Sequence, residues 1–202
     1  MEKEEESRVK DLVEKLQTGE ITHKEALKEL RKRKLREQER WEIVPWVIYF
    51  ILWLPLNLSF SDKLPAIQFP LFIICISIVL SGLGIFLGVW TTIMHYKRGG
   101  LEHDETVILI KDGPYSIMRH PAVSIMILPI LLPIILSEYV PFTPLSVAAI
   151  IVMIAYVYYG AWIEEEKLNI PKWGDEYRQY MKQVPRFNFI KGLWNLRKRS
   201  LH

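Results

Sequence analysis

The sequence predicts an all-α integral membrane protein with about four transmembrane helices. A cytoplasmic helical hairpin is expected over 1–42 and a membrane domain over 43–202. Three observations predict this class. Half of the 202 residues are hydrophobic, among them seven Trp and nine Tyr. The 26 Lys and Arg are segregated, with 12 in 1–42, one in 43–96, four in 97–120, none in 121–163 and nine in 164–202. The stretches between them are long enough for the roughly 20 apolar residues that a spanning helix needs.

Residues 1–42 are polar and helix-prone. Val9, Leu12, Val13 and Leu16 recur at helical spacing, so one face of a first helix is apolar. Gly19 ends it. Thr22 followed by Glu25 reads as a capping box, in which each side chain satisfies a backbone donor of the other, and Ala26, Leu27 and Leu30 continue an apolar face. The hairpin is either a solvated arm or a docking device, including a route to a homo-oligomer. "MEKEEESRVK" has no apolar stretch of the kind a cleavable signal peptide requires. "RKRKLR", 31–36, stands immediately before the first apolar block. That position favours anionic headgroups over nucleic acid as its partner, and no nucleic acid is expected.

The first span is expected over about 44–60, with Trp46 and Trp53 in it, and the second over about 70–95. Gly82, Gly84 and Gly88 permit a neighbouring helix to come close to the second span. The single cysteine, Cys75, lies in this apolar run and has no intramolecular disulfide partner. After a polar loop, 97–120, comes a short apolar run, about 122–136. Pro129 and Pro133 interrupt it, so it is marginal for a straight span. "SEYVPFTP" turns the chain into a last span, about 144–163. Its Tyr156, Tyr158, Tyr159 and Trp162 suit a membrane interface. Four spans place 25 of the 26 Lys and Arg on one side and leave Lys63 alone opposite. By the positive-inside rule that side, with both termini, is cytoplasmic.

Two polar motifs flank the last two spans. One runs from Gly113-Pro114-Tyr115 to Arg119-His120-Pro121; the other is "EEEKLNIPKWGDEYRQYMKQVPRF", 164–187. A short turn joins those spans, so both motifs are expected at the same end. Pro171 and Gly174 should break the chain after the acidic run. Trp173, Tyr177, Tyr180, Met181 and Val184 then form the apolar face of an amphipathic helix, expected to lie on the membrane and roof a pocket. Taken singly, these residues have plainer readings: Arg119 can snorkel to headgroups and His120 can cap a helix. His23, His95 and His103 lack ligand-like spacing and suggest no metal.

In order and spacing the motifs resemble the isoprenylcysteine carboxyl methyltransferase and phospholipid methyltransferase family of membrane enzymes. The resemblance covers about 84–190. It is carried by Gly113, Pro114, Tyr115, Arg119, His120, Pro121, Glu165, Glu166, Trp173, Gly174, Tyr177, Tyr180, Val184, Pro185 and Arg186. It implies a methyltransferase that binds S-adenosylmethionine and acts on a lipid or lipidated acceptor. Tyr115, Arg119, His120, Pro121, Glu165 and Tyr177 would contact the cofactor. Arg186 would orient an acceptor carboxylate or phosphate, and Glu166 would serve catalysis. The chain departs from the family pattern at Val123 and Ile125, where Tyr and Gly are frequent. Two other readings remain open. One is a membrane reductase of the sterol type, which would bind a nicotinamide cofactor; the other is a noncatalytic scaffold acting through 1–42.

Overall fold

The computed structural model of the protein describes residues 2–31, 39–97 and 107–199. Residues 32–36 of the basic run, and His103, lie outside the described residues. The chain begins with α1 (Glu2–Gln17), α2 (His23–Arg31) and α3 (Glu39–Ile51). A π-turn, Leu52–Leu56, leads into the short α4 (Asn57–Phe60), followed by the long α5 (Leu71–Lys97). Two 3-10 turns, Gly113–Ser116 and Pro121–Met126, precede α6 (Ile127–Ile135). The remainder is α7 (Pro144–Ile163), a π segment Glu164–Asn169, α8 (Ile170–Gln183) and α9 (Phe189–Arg199). Among the described residues there is no β-strand, only an isolated antiparallel bridge between Ile67 and Phe142.

Three helices are long and apolar enough to cross a membrane: Ile43–Phe60, Leu71–Lys97 and Pro144–Gln183. The fourth apolar stretch, Pro121–Ile135, is shorter. Six residues of 3-10 and nine of α-helix rise roughly 25 Å together, less than the ~30 Å hydrocarbon core. Pro129 falls in the first turn of α6, whereas the helix continues through Pro133.

The chain divides into two compact units. The first comprises 35–86 and 123–160. Its core is Tyr49, Trp53, Ala149 and Met153, while Leu71, Phe72, Val79 and Phe86 of α5 stay exposed, as side chains facing lipid do. Pro133 removes the amide that would bond the Pro129 carbonyl four residues back. The Tyr49 hydroxyl donates to that carbonyl instead, at 2.6 Å. Such a substitute matters in a medium where no water can satisfy the group. Thr143 caps α7: its Oγ1 accepts from the Leu145 amide at 3.2 Å, and Ser146 Oγ accepts from the Thr143 amide at 3.3 Å, with Pro144 at the first helical position. Of the predicted small-residue stripe, Gly84 makes the close approach. A Cβ there would stand 2.3 Å from the Ser124 carbonyl oxygen, whereas Gly82 faces open space.

The second unit comprises 1–34, 87–122 and 161–202. The capping box forms as expected, with the Thr22 amide donating to Glu25 Oε2 at 2.8 Å and the Glu25 amide to Thr22 Oγ1 at 3.3 Å. Leu12 and Ala26 are buried against Val107, and α1 packs along α8. Val13, Leu16 and Ile21 pack against the same cluster.

Candidate functional site

The expected break after the acidic run is only half present. The helix continues through Pro171, because the chain widens into a π-turn over Glu164–Asn169 and the Ile170 amide bonds the Glu165 carbonyl. Pro171 then falls in the first turn of α8, directly after that widened turn. The true kink is Gly174, at φ 52°, ψ −128°, a conformation that favours glycine.

Both polar motifs belong to the second unit, and the folded chain brings them together. The Arg119 amide donates to the Pro185 carbonyl at 3.0 Å and the His120 amide to the Arg186 carbonyl at 3.4 Å. At the centre is Glu165, whose side chain has no exposure. Its Oε1 accepts from Arg119 Nε and His120 Nε2, both at 2.9 Å. Its Oε2 accepts from Arg186 Nε at 3.0 Å and from Arg186 Nη2. One carboxylate thus serves three cationic side chains from two distant segments. Arg119 reaches further, donating through Nη1 to the carbonyls of Met181 at 2.8 Å and Val184 at 3.0 Å. Those carbonyls close the C-terminal end of α8, where a cation also complements the helix dipole.

His120 stands between two acids. Its Nδ1 lies 3.3 Å from Glu164 Oε2 while Nε2 faces Glu165. A carboxylate only accepts, so both ring nitrogens must carry protons. Burial opposes that charge, but the hydrogen bonds and fields of Glu164 and Glu165 outweigh it and push the His120 pKa up to about 9. Arg186 is held above its ordinary pKa chiefly by its hydrogen bonds to Glu165.

Other predicted residues fall around this network. Tyr115 is buried, its hydroxyl 2.8 Å from His95 Nε2 and its carbonyl accepting from the Tyr180 hydroxyl at 2.6 Å. Tyr177 is buried between Trp173 and Tyr180, and its hydroxyl accepts from Asn169 Nδ2 at 3.2 Å. Pro121 is buried, and Glu166 is exposed. Val123 and Ile125 lie in the 3-10 turn over 121–126, in the part of it that belongs to the other unit.

Two expectations need correction. The aromatic face of α8 does not lie on a membrane: Tyr177, Tyr180 and Val184 are packed with Leu109, Ile170 and Met181, and Trp173 Nε1 donates to the Val107 carbonyl at 2.9 Å. Amphipathicity measures only the wish for an apolar neighbour, and protein supplies it here. Of the three consecutive glutamates, the buried Glu165 is saturated by its own chain, and Glu164 is the half-exposed carboxylate beside His120. Sequence spacing offered no signal for Glu164, for Asn169, which donates to it at 3.2 Å, or for His95, whose partner is twenty residues away in another element.

Among the described residues no group of three or more His, Cys, Asp or Glu could hold a metal ion. Comparison with known proteins found no matching family pattern, no matching curated protein and no matching solved structure.

Proposed function

We propose that this chain transfers a methyl group from S-adenosylmethionine to a hydrophobic acceptor, a prenylcysteine carboxylate or a lipid headgroup, at a membrane face. The observation that carries the reading is the ion network in which Glu165 joins Arg119, His120 and Arg186, because it unites the two motifs on which the family resemblance rests. One acidic side chain at the network suits the ammonium end of the donor. Glu164, half exposed and oriented by His120 and Asn169, would take the ammonium of its amino-acid end. Tyr115, Pro121 and Tyr177 would enclose the less polar part.

When bound, S-adenosylmethionine supplies an electrophilic methyl group on a sulfonium centre. The chain has little acid–base work to do beyond holding donor and acceptor aligned. Arg186 commits Nε and Nη2 to Glu165 and directs Nη1 elsewhere, where it would hold an acceptor carboxylate or phosphate. With an amine acceptor, the exposed Glu166 would receive the proton released.

Calorimetry of the detergent-purified full chain tests this. Saturable heat with S-adenosylhomocysteine, weakened in Glu164→Gln, is the expected result. Heat with NADPH alone would move the protein to the reductase class. Absence of heat with either ligand would overturn the enzyme reading.

We further propose that 121–135 completes a fourth crossing and that both termini are cytoplasmic. Support comes from within one unit. Asn57 Nδ2 donates to the Pro141 carbonyl at 2.6 Å and Ile67 pairs with Phe142, so α6 returns the chain to the end where α4 stops and α5 and α7 begin. In sealed vesicles with Cys75→Ser, a membrane-impermeant thiol reagent should label Lys63→Cys and Glu166→Cys from opposite sides. Labelling of both from one side would refute the even count.

A further inference from the structure

While α8 buries its apolar face, α9 bares one. Ile190 is 81% exposed and Trp194 59%, with Leu193 and Phe189 also open. This is not an undocked helix, because its opposite face is closely seated. A Cβ on Gly192 would lie 1.9 Å from the Ile117 carbonyl oxygen, so only glycine permits the approach. Asn195 Nδ2 donates to the Gln183 carbonyl at 2.9 Å, and Arg199 Nη2 to the Ser116 carbonyl at 2.6 Å. Gly192, Asn195 and Arg199 therefore face the protein, and Ile190, Leu193 and Trp194 face away.

Charge indicates what covers the outward row. After Glu176 the sequence has no Asp or Glu, and Arg178, Lys182, Arg186, Lys191, Arg197, Lys198 and Arg199 follow. Lys198 Nζ lies 5.5 Å from the Trp194 ring centre, which pairs a cation with an interfacial aromatic. An apolar row rimmed by charges of a single sign matches a leaflet of anionic lipid. A protein partner would have to be acidic and apolar in the same register, whereas an anionic leaflet offers both along its whole surface, and three helices of this chain are long and apolar enough to enter a membrane.

We propose that α9 is an interfacial anchor. Its Ile190, Leu193 and Trp194 sit at the acyl boundary of an anionic leaflet, and Lys191, Arg197 and Lys198 lie among the headgroups. Its seat on Ile117, Gln183 and Ser116 ties that contact to the turn before Arg119 and to the end of α8. The proposal does not depend on methyl transfer.

The test places an environment-sensitive fluorophore at Ile190→Cys in full-length Cys75→Ser protein. The labelled protein is reconstituted into nanodiscs of phosphatidylcholine with or without phosphatidylglycerol. The expected result is blue-shifted emission quenched by spin-labelled lipid, stronger with phosphatidylglycerol and weakened by salt. A label at the exposed Gln179→Cys on α8 should stay water-like in both. Lys198→Gln should shift the buried-to-exposed ratio about fivefold toward water. A label at Ile190→Cys that behaves like the one at Gln179→Cys in both lipids would overturn the proposal. So would shielding that depends on protein concentration rather than on lipid, which would assign the face to a second copy.

Discussion

Each unit contains a buried polar cluster, and the two are built on opposite terms. In the lipid-facing unit, Asn57 gathers neutral partners. Its Nδ2 donates to the Pro141 carbonyl and to Ser146 Oγ at 3.2 Å, and its Oδ1 accepts from the Thr143 hydroxyl. In the other unit, Glu165 gathers Arg119, His120 and Arg186. The neutral cluster leaves no charge to be solvated, so it can sit among apolar helices and fasten the end of one to the start of another. The charged cluster gains more per bond but is stable only when complete. The Arg119 guanidinium and the His120 imidazolium, both largely enclosed, cannot be left without their carboxylate, which Arg186 also shares.

Removing each centre sharpens that contrast. Glu165→Gln should have the largest effect, about 3–5 kcal/mol of destabilisation, because three cations lose a shared counter-charge. Thermal unfolding in detergent measures it, and a loss under 1 kcal/mol would show the network to be incidental. Asn57→Ala should lower stability by about 2–3 kcal/mol, leaving the Thr143 hydroxyl and Pro141 carbonyl to find other partners.

A pH series separates the two clusters without mutation. Since the His120 pKa is raised in the folded protein, its contribution is complete below its ordinary value, near 6.5, and fades as pH rises through about 9. About 2 kcal/mol should be lost between pH 7 and 9, and His120→Gln should flatten that part of the profile. The Asn57 cluster titrates nowhere in this range and should be indifferent. The smallest effect belongs to Tyr49→Phe, about 1 kcal/mol, from the Pro129 carbonyl that loses its hydroxyl partner. An unchanged Tm in Tyr49→Phe would mean that another donor reaches that carbonyl.

The two C-terminal amphipathic helices show where sequence reading stopped. The aromatic spacing of α8 correctly marked the residues that would be buried, but periodicity cannot distinguish a bilayer from a neighbouring segment. The neighbour proved to be the chain's own 107–118 stretch, with α1 alongside. Likewise, three consecutive glutamates read alike in one dimension. Which of them is buried depends on the π-turn that widens the helix there and on an arginine twenty-one residues further on.

What the sequence determined by itself was local or compositional. The capping box at Thr22, the three long apolar helices, the segregation of charge and the faces along which α1 and α8 would bury residues all depend on neighbours within a few turns. Only the tertiary structure decided which carboxylate is enclosed, what covers α8 and which face of α9 is left bare. Those outcomes depend on contacts between segments far apart in the chain, and the energies of burial and ion pairing exist only once those segments have met.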